Sequence, residues 1–215
     1  MKIAIIGAGK VGTTLGKRWS QCGHAIVYGV QDPADSKHQP LQQHAKIASS
    51  PEAAESADVV VLAVHWSSAQ SAVKEIAEAL TGKILIDCTN PVKQDLSGVS
   101  IGHTTSASEQ IQSWAPTCTV VKAFNQMGFN IMADPLLEDR KALLFLAGDI
   151  ASANSTVETL ASELDFEVVV MPSLSDARLL EPLAMIWISM AYKLGYGRDF
   201  AFSMIKRTAA QGDAV

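Results

Sequence analysis

Short runs of aliphatic and β-branched residues alternate along this chain with stretches whose apolar positions recur every three or four residues. The first pattern predicts strands and the second amphipathic helices. Strands are expected at 2–6, 25–28, 46–48, 58–64, 83–87, 119–123, 141–147 and 167–171. Helices are expected at 10–22, 51–56, 67–80, 106–114, 150–164 and 175–194. Gly23 stands in the stop position of the first helix and Ser50 is the expected cap of the second. Residues 32–43 are polar and carry Pro33 and Pro40, so they read as loop, as do 90–105.

The run 58–64 is almost purely Val, Leu and Ala. A strand apolar on both faces belongs inside a parallel sheet covered by helices. Strand–helix alternation then predicts an α/β, doubly wound, mainly parallel sheet with right-handed crossovers. Ligands on such sheets sit beyond the carboxyl ends of the strands. Function is therefore expected in the loops that begin at Gly7, Gly29, His65, Cys88 and Phe124.

The last helix is apolar nearly all round. Leu179, Leu180, Leu183, Ile186, Trp187, Met190 and Leu194 follow three- and four-residue spacings, and Met185 and Ile188 widen the stripe. Such a helix needs cover on more than one side, from a small C-terminal portion or a partner subunit. The expected division is a ligand-binding domain over 1–172 and a helical segment over 173–215. The segment would complete the cleft and form a homodimer interface. Pro182 is expected to kink the helix.

Composition narrows the classes. The chain has 215 residues, 48% hydrophobic and 18% charged, which is globular rather than disordered. A net charge of −5 argues against a general nucleic-acid surface, which needs a basic excess. Cys22, Cys88 and Cys118 are an odd, widely spaced set that suits a reducing compartment. No CxxC or HExxH occurs and the five histidines have no ligand spacing, so no metal is expected. The apolar start breaks at Gly7 and the late run 183–191 is short of the roughly 18 residues of a membrane span. A cytoplasmic protein without signal peptide or membrane contact is the expectation.

Gly7-Ala8-Gly9-Lys10-Val11-Gly12 matches G-x-G-x-x-G directly after a strand and at the opening of a helix, the context in which this motif holds a dinucleotide. Gly7 allows the tight turn, Gly9 admits a pyrophosphate to the backbone, and Gly12 lets helix and strand approach. The helix start offers free N–H groups and partial positive charge, and Lys10 adds a full one. An acid that would bind a ribose 2′-hydroxyl is missing after the second strand, where Gly29-Val30-Gln31 stand. Asp32 lies further out and reads as a turn cap. Gly29 would leave room for a 2′-phosphate, Gln31 would donate to it, and Lys37 or His38 would add charge. This favours NADP, with NAD possible if Gln31 and Lys37 are only solvated loop residues.

These residues, with Gly23-His24, Tyr28 to Pro33, Ala63-Val64-His65-Trp66, Asp87 to Pro91, Val121 to Asn125 and Leu180 to Ala184, resemble the coenzyme F420-dependent NADP oxidoreductases. The reductase domains of the six-transmembrane metalloreductases look similar. The resemblance spans nearly the whole chain in collinear order. It implies a Rossmann fold with a small C-terminal portion, often dimeric. NADPH would pass hydride to a flavin or deazaflavin (F420) acceptor. By position, Gly7, Gly9, Lys10, Val11 and Gly12 would hold the pyrophosphate, and Gln31 and Lys37 would face the 2′-phosphate. Ala63, Val64 and His65 would line the cofactor's middle, with Asn90, Pro91, Ala123 and Asn125 near the nicotinamide. The chain departs from the family pattern at Gln31, usually Arg, and at His65, usually Pro.

No catalytic residue is expected, because hydride transfer between stacked rings asks the protein for orientation and a dry cleft. Trp66 and Cys88 read as packing residues. Asn90 and Asn125 either contact a ligand or cap turns. A triad of Ser106, His103 and Asp87 lacks the G-x-S-x-G elbow. Glu181, in an apolar helix, would have to be paired if buried. A dinucleotide-binding sensor without turnover is the alternative reading.

Overall fold

The computed structural model describes residues 1–207. The chain forms β1 (Lys2–Ile6), α1 (Lys10–Gln21), β2 (Ala25–Val30), β3 (Lys46–Ser49), α2 (Ser50–Glu55), β4 (Val59–Leu62), α3 (Trp66–Ile76) and β5 (Ile84–Asp87). It continues with α4 (Ala107–Trp114), β6 (Thr119–Lys122), α5 (Phe129–Ala133), β7 (Leu136–Leu137) and β8 (Arg140–Lys141). The last elements are β9 (Leu143–Ala147), α6 (Ala151–Ser162), β10 (Glu167–Met171) and α7 (Ala177–Tyr192). Short 3-10 segments occupy Ser36–Gln43 and Leu174–Asp176.

Eight strands form one sheet in the order β10-β9-β6-β5-β4-β1-β2-β3, and β7 and β8 pair apart from it. Neighbours from β6 to β3 are all parallel. Strand β9 joins β6 antiparallel through Lys122 and Ala147, and β10 lies parallel to β9. The expected α/β, doubly wound, mainly parallel sheet is what forms. Its far two strands run against the other six, so the row of carboxyl-end loops comes from β1, β2, β4, β5 and β6.

The period-two alternation of strands divides the core between the two faces. Ile3, Ile5, Val59, Val61, Ile86 and Val121 pack with Leu15 and Trp19 of α1 and with Val157 and Leu160 of α6. Ala4, Ile6, Val60, Leu62, Leu85 and Val120 pack with α2, α3 and α4 through Ala53, Val73 and Ile111. Each such aliphatic side chain contributes about 1.5–3 kcal/mol by leaving water. This is why apolar runs without alternation mark the central strands.

Several boundaries move, each for a local reason. Strand β2 runs on to Val30 because Gly29 pairs with Ile6. The second helix is capped by Ser49, not Ser50: Ser49 and Glu52 form a capping box, which needs the glutamate three residues after the cap. The run 141–147 splits at Ala142, whose N–H turns away to the Pro135 carbonyl. Helix α5 has five residues, too few to show a period.

Helix α7 buries Leu180, Glu181, Ala184, Trp187 and Ala191. Its second side is covered by the chain's own tail. Trp187 stacks on Phe200 at 5.3 Å and donates Nε1–H to the Phe200 carbonyl at 3.0 Å. The Leu143 N–H bonds the Phe202 carbonyl at 2.8 Å, so the tail runs beside β9. A third side exposes Leu179 and Ile186, 61% and 54% accessible. Residues 208–215 of the expected C-terminal segment lie outside the described residues. Among the described residues, no helix is long and apolar enough to cross a membrane.

Candidate functional site

The parallel ladder continues one step past the strands. Gly7 N–H bonds Gly29 O, Ala63 N–H bonds Ile6 O, Cys88 N–H bonds Leu62 O, and Ala123 N–H bonds Asp87 O, all between 2.9 and 3.1 Å. The loops carrying most of the expected site therefore start from one backbone-fixed rim.

At the β1 end the rim is shaped by missing side chains. Gly7 has φ +106°, and a Cβ on it would lie 2.5 Å from the Ala63 carbonyl oxygen. A Cβ on Gly12 would collide with the Gly7 carbonyl oxygen. Gly9 is the opposite case: a Cβ there would meet nothing within 4 Å. It caps α1 with extended backbone and no side-chain cap, and the first turn holds no acid. The leading N–H groups of a helix have no intrahelical partners, so this end presents donors and positive potential to open space. Lys10 places its ammonium 5.1 Å from the Phe129 ring centre, and Arg198 approaches the same ring at 5.2 Å. Gly7, Gly9, Lys10, Val11 and Gly12 thus form the turn and the first helical residues at the end of β1.

Along the rim, Ala63 and Val64 are half-buried and wall the Gly7 turn. His65 is exposed at the start of α3 and makes no side-chain cap bond. Trp66 stacks on Trp114 at 5.5 Å, as packing. Gln31 is exposed immediately after β2. Asp32 Oδ1 accepts from Ala34 N–H at 3.0 Å, the turn cap its position suggested. Lys37 is exposed and ion-paired to Asp35 at 2.7 Å. That hydrogen bond raises the lysine above its ordinary range and lowers the aspartate below its own.

Two readings need correction. Gly29 does not leave room for a phosphate: a Cβ there would lie 2.7 Å from Ile6 Cδ1 and 3.0 Å from Ser50 Cα, so close packing of α2 on β2 requires this glycine. His38 is buried, not a charge offered by the loop.

At the β5 and β6 ends the rim is shaped by side chains. Asn90 Nδ2 donates to Asn125 O at 2.7 Å, and Asn125 Nδ2 donates to Asn90 Oδ1 at 2.9 Å and Leu180 O at 3.0 Å. The two amides bind each other's loops. Pro91 and Ala123 are buried beside them. Phe124, buried at φ +59°, turns the chain out of β6 in a conformation that costs about 1–3 kcal/mol. Gln126 bridges to β9 through both amide atoms, to Phe145 O at 2.9 Å and from Phe145 N at 3.0 Å.

Beneath this pair lies a group of charges that sequence reasoning did not assemble. The Lys122 ammonium, fully buried, donates to Asp87 Oδ2 at 2.7 Å, Thr89 O at 2.8 Å and Glu181 Oε1 at 3.0 Å. Asp87 also accepts from Ser108 Oγ at 2.6 Å and Thr89 N at 2.8 Å. Glu181 Oε2 accepts from Ala107 N at 3.0 Å, at the start of α4. Burial pulls the lysine down, but Asp87 and Glu181 outweigh it and hold the ammonium above its ordinary range. Burial raises Glu181, against Lys122 and the Ala107 amide. The signal was present: Asp87 and Lys122 are register partners on adjacent strands, and Glu181 interrupts an apolar helix. Glu181 is paired, as its burial demanded.

Cys88 is buried, and burial followed by the Asp87 charge pushes its thiol well up, which leaves no thiolate nucleophile. Ser106 Oγ bonds Glu109, and Asp87 is held by Lys122 and Ser108, so the three do not form a triad. Clefts beside the β7–β8 hairpin, lined by Arg140, Lys141 and tail residues 199–204, include no rim residue.

A glycine turn at the first strand, an uncapped helix start and a row of strand-end loops define a dinucleotide-binding protein of Rossmann type. The family model described as NADP oxidoreductase, coenzyme F420-dependent, matches residues 2–91, the stretch from β1 through β5. A crystal structure from Arthrobacter sp. FB24, of a candidate F420-dependent NADP-reductase, is 32% identical with a TM-score of 0.86, covering 96% of this chain and all of that one. The F420-dependent NADP reductase of Methanothermobacter marburgensis is 29% identical over 90% of this chain and 93% of its own. Metalloreductase STEAP3 of Rattus norvegicus is 32% identical over 86% of this chain, which spans only 36% of the rat protein. The chain belongs to the coenzyme F420-dependent NADP oxidoreductase family.

Proposed function

We propose that this protein is an NADPH-dependent reductase that binds the dinucleotide across the strand-end rim and serves a flat redox acceptor, a flavin or deazaflavin. The observation that carries the reading is the contrast among the three glycines: Gly7 and Gly12 are crowded by backbone while Gly9 faces open space at an uncapped helix start. This fits a diphosphate held by main-chain amides, with Lys10 nearby to balance its charge. The buried Thr89 hydroxyl, without a partner among the described residues, leaves an unused donor in the loop after β5.

The bound nicotinamide supplies the hydride. The protein's part is orientation and exclusion of water. Ala63, Val64 and His65 wall the middle of the cleft. The Asn90–Asn125 pair, with Pro91 and Ala123, sets the shape of its far end. Gln31, in place of an acid, and Lys37, once released from Asp35, favour the 2′-phosphate of NADP. The exposed Leu179 and Ile186 face of α7 suits a homodimer, which sedimentation at micromolar concentration checks.

The test is thermal unfolding with NADP, NAD, FMN and coenzyme F420, followed by NADPH oxidation with each acceptor. NADP is expected to raise the midpoint most. No shift with either dinucleotide at millimolar concentration overturns the reading. Binding without oxidation by any acceptor points to a sensor instead.

A further inference from the structure

The charge cluster under the rim is unexplained by dinucleotide binding at the glycine loop, because none of its members comes from β1 or α1. Burying an ammonium and two carboxylates strips each of its water, and apolar residues of similar volume often serve stability as well. What an apolar core would not supply is direction. Lys122 has three protons and three acceptors, one of them the Thr89 carbonyl in the loop that carries Asn90. Glu181 is fixed from two sides, by Lys122 and by the first amide of α4. Its neighbour Leu180 thereby presents a carbonyl to Asn125 Nδ2. Asn125 and Asn90 then close on each other. One continuous set of bonds joins α4, α7, β5 and β6 and ends on the two asparagines.

We propose that Glu181 is a positioning residue for the nicotinamide half of the cleft, holding the Asn90 and Asn125 loops in place through Lys122 and the Leu180 carbonyl. The inference rests on the dinucleotide reading above and deepens it. It makes the C-terminal helix part of the site without contact between Glu181 and the ligand. Loss of this anchor acts on one half of the dinucleotide, since the glycine loop is built from other elements.

The experiment compares NADP with 2′-phospho-ADP-ribose, which lacks the nicotinamide, by calorimetric titration of wild type, Glu181→Ala and Glu181→Gln, with unfolding midpoints measured alongside. Glu181→Ala is expected to weaken NADP about tenfold while the fragment stays within about twofold. Glu181→Gln keeps an acceptor for Lys122 and is expected to recover most of the loss. A lower midpoint with an unchanged ratio of the two affinities overturns the inference. So does equal weakening of both ligands. Wild type that binds neither ligand overturns the dinucleotide reading itself. If Glu181→Ala does not fold, Glu181→Asp, which draws the carboxylate back from Lys122 and the Ala107 amide, is read by the same ratio, with a selective loss of NADP expected and an unchanged ratio overturning the inference.

Discussion

The two ends of the strand-end rim reach a fixed shape by opposite means. At β1 the shape comes from side chains that are not there: Gly7 and Gly12 let backbone touch backbone, and Gly9 leaves a gap. At β5 and β6 it comes from side chains bonded to one another and to the backbone: a lysine, two carboxylates, a serine and two asparagines. The glycine end needs no desolvated charge, but any added atom at Gly7 or Gly12 meets main chain. The charged end tolerates shape change better than charge loss, because removing one ion leaves its partners buried and uncompensated.

Lys122→Met should produce the largest effect. Stranding Asp87 and Glu181 is expected to cost about 3–5 kcal/mol, seen as a midpoint lower by roughly 10–15 °C. A loss below about 1 kcal/mol would break the comparison by showing that the cluster relaxes easily. Gly12→Ala comes next. Its Cβ overlaps the Gly7 carbonyl, and the overpacking is expected to cost about 2 kcal/mol and to abolish dinucleotide binding.

Gly9→Ala sharpens the contrast. Gly9 has φ −78° and ψ −175°, which alanine adopts freely, and no atom stands in the way. Stability should fall by about 1 kcal/mol at most, because alanine caps a helix less well than glycine, while NADP affinity falls about tenfold. Equal stability and equal affinity would show that the gap is not where the diphosphate lies. Gln31→Arg is expected to raise the NADP-over-NAD preference by a few-fold to about tenfold, through a charge-assisted contact to the 2′-phosphate. Parallel titrations with the two dinucleotides read it.

The smallest expected effect lies at the surface. Arg178 holds Glu109, and this hydrogen bond keeps the carboxyl below its ordinary range. The pair's stability is therefore present above the unfolded carboxylate pKa and is lost as pH falls through the folded one. Arg178→Ala should lower the midpoint slightly at neutral pH and not at all in acid, where the two curves converge.

Much of the fold is legible in the amino-acid sequence. The apolar run of β4 placed it inside a parallel sheet, and the glycine spacing placed the cradle at the end of β1. The failures were local competitions. Ser50 looked like a cap, but only Ser49 has a glutamate three residues on to complete the box. Gly29 looked like space for a ligand, yet Ile6 and α2 occupy that space. By sequence, Asn90 and Asn125 suit ligand contact and turn capping equally. The fold shows both amides tying their two loops together, which no spacing within either loop could reveal.

Amino-acid order alone determined the alternation of elements, the open glycine turn after β1 and the glutamine in place of an acid directly after β2, because these depend on residues close in the chain. Only the tertiary structure decided that Asp87, Lys122 and Glu181 meet. They come from two strands and a helix up to 94 positions apart. Whether a buried charge finds its partners depends on how those elements stack, and short-range periodicity carries no record of that.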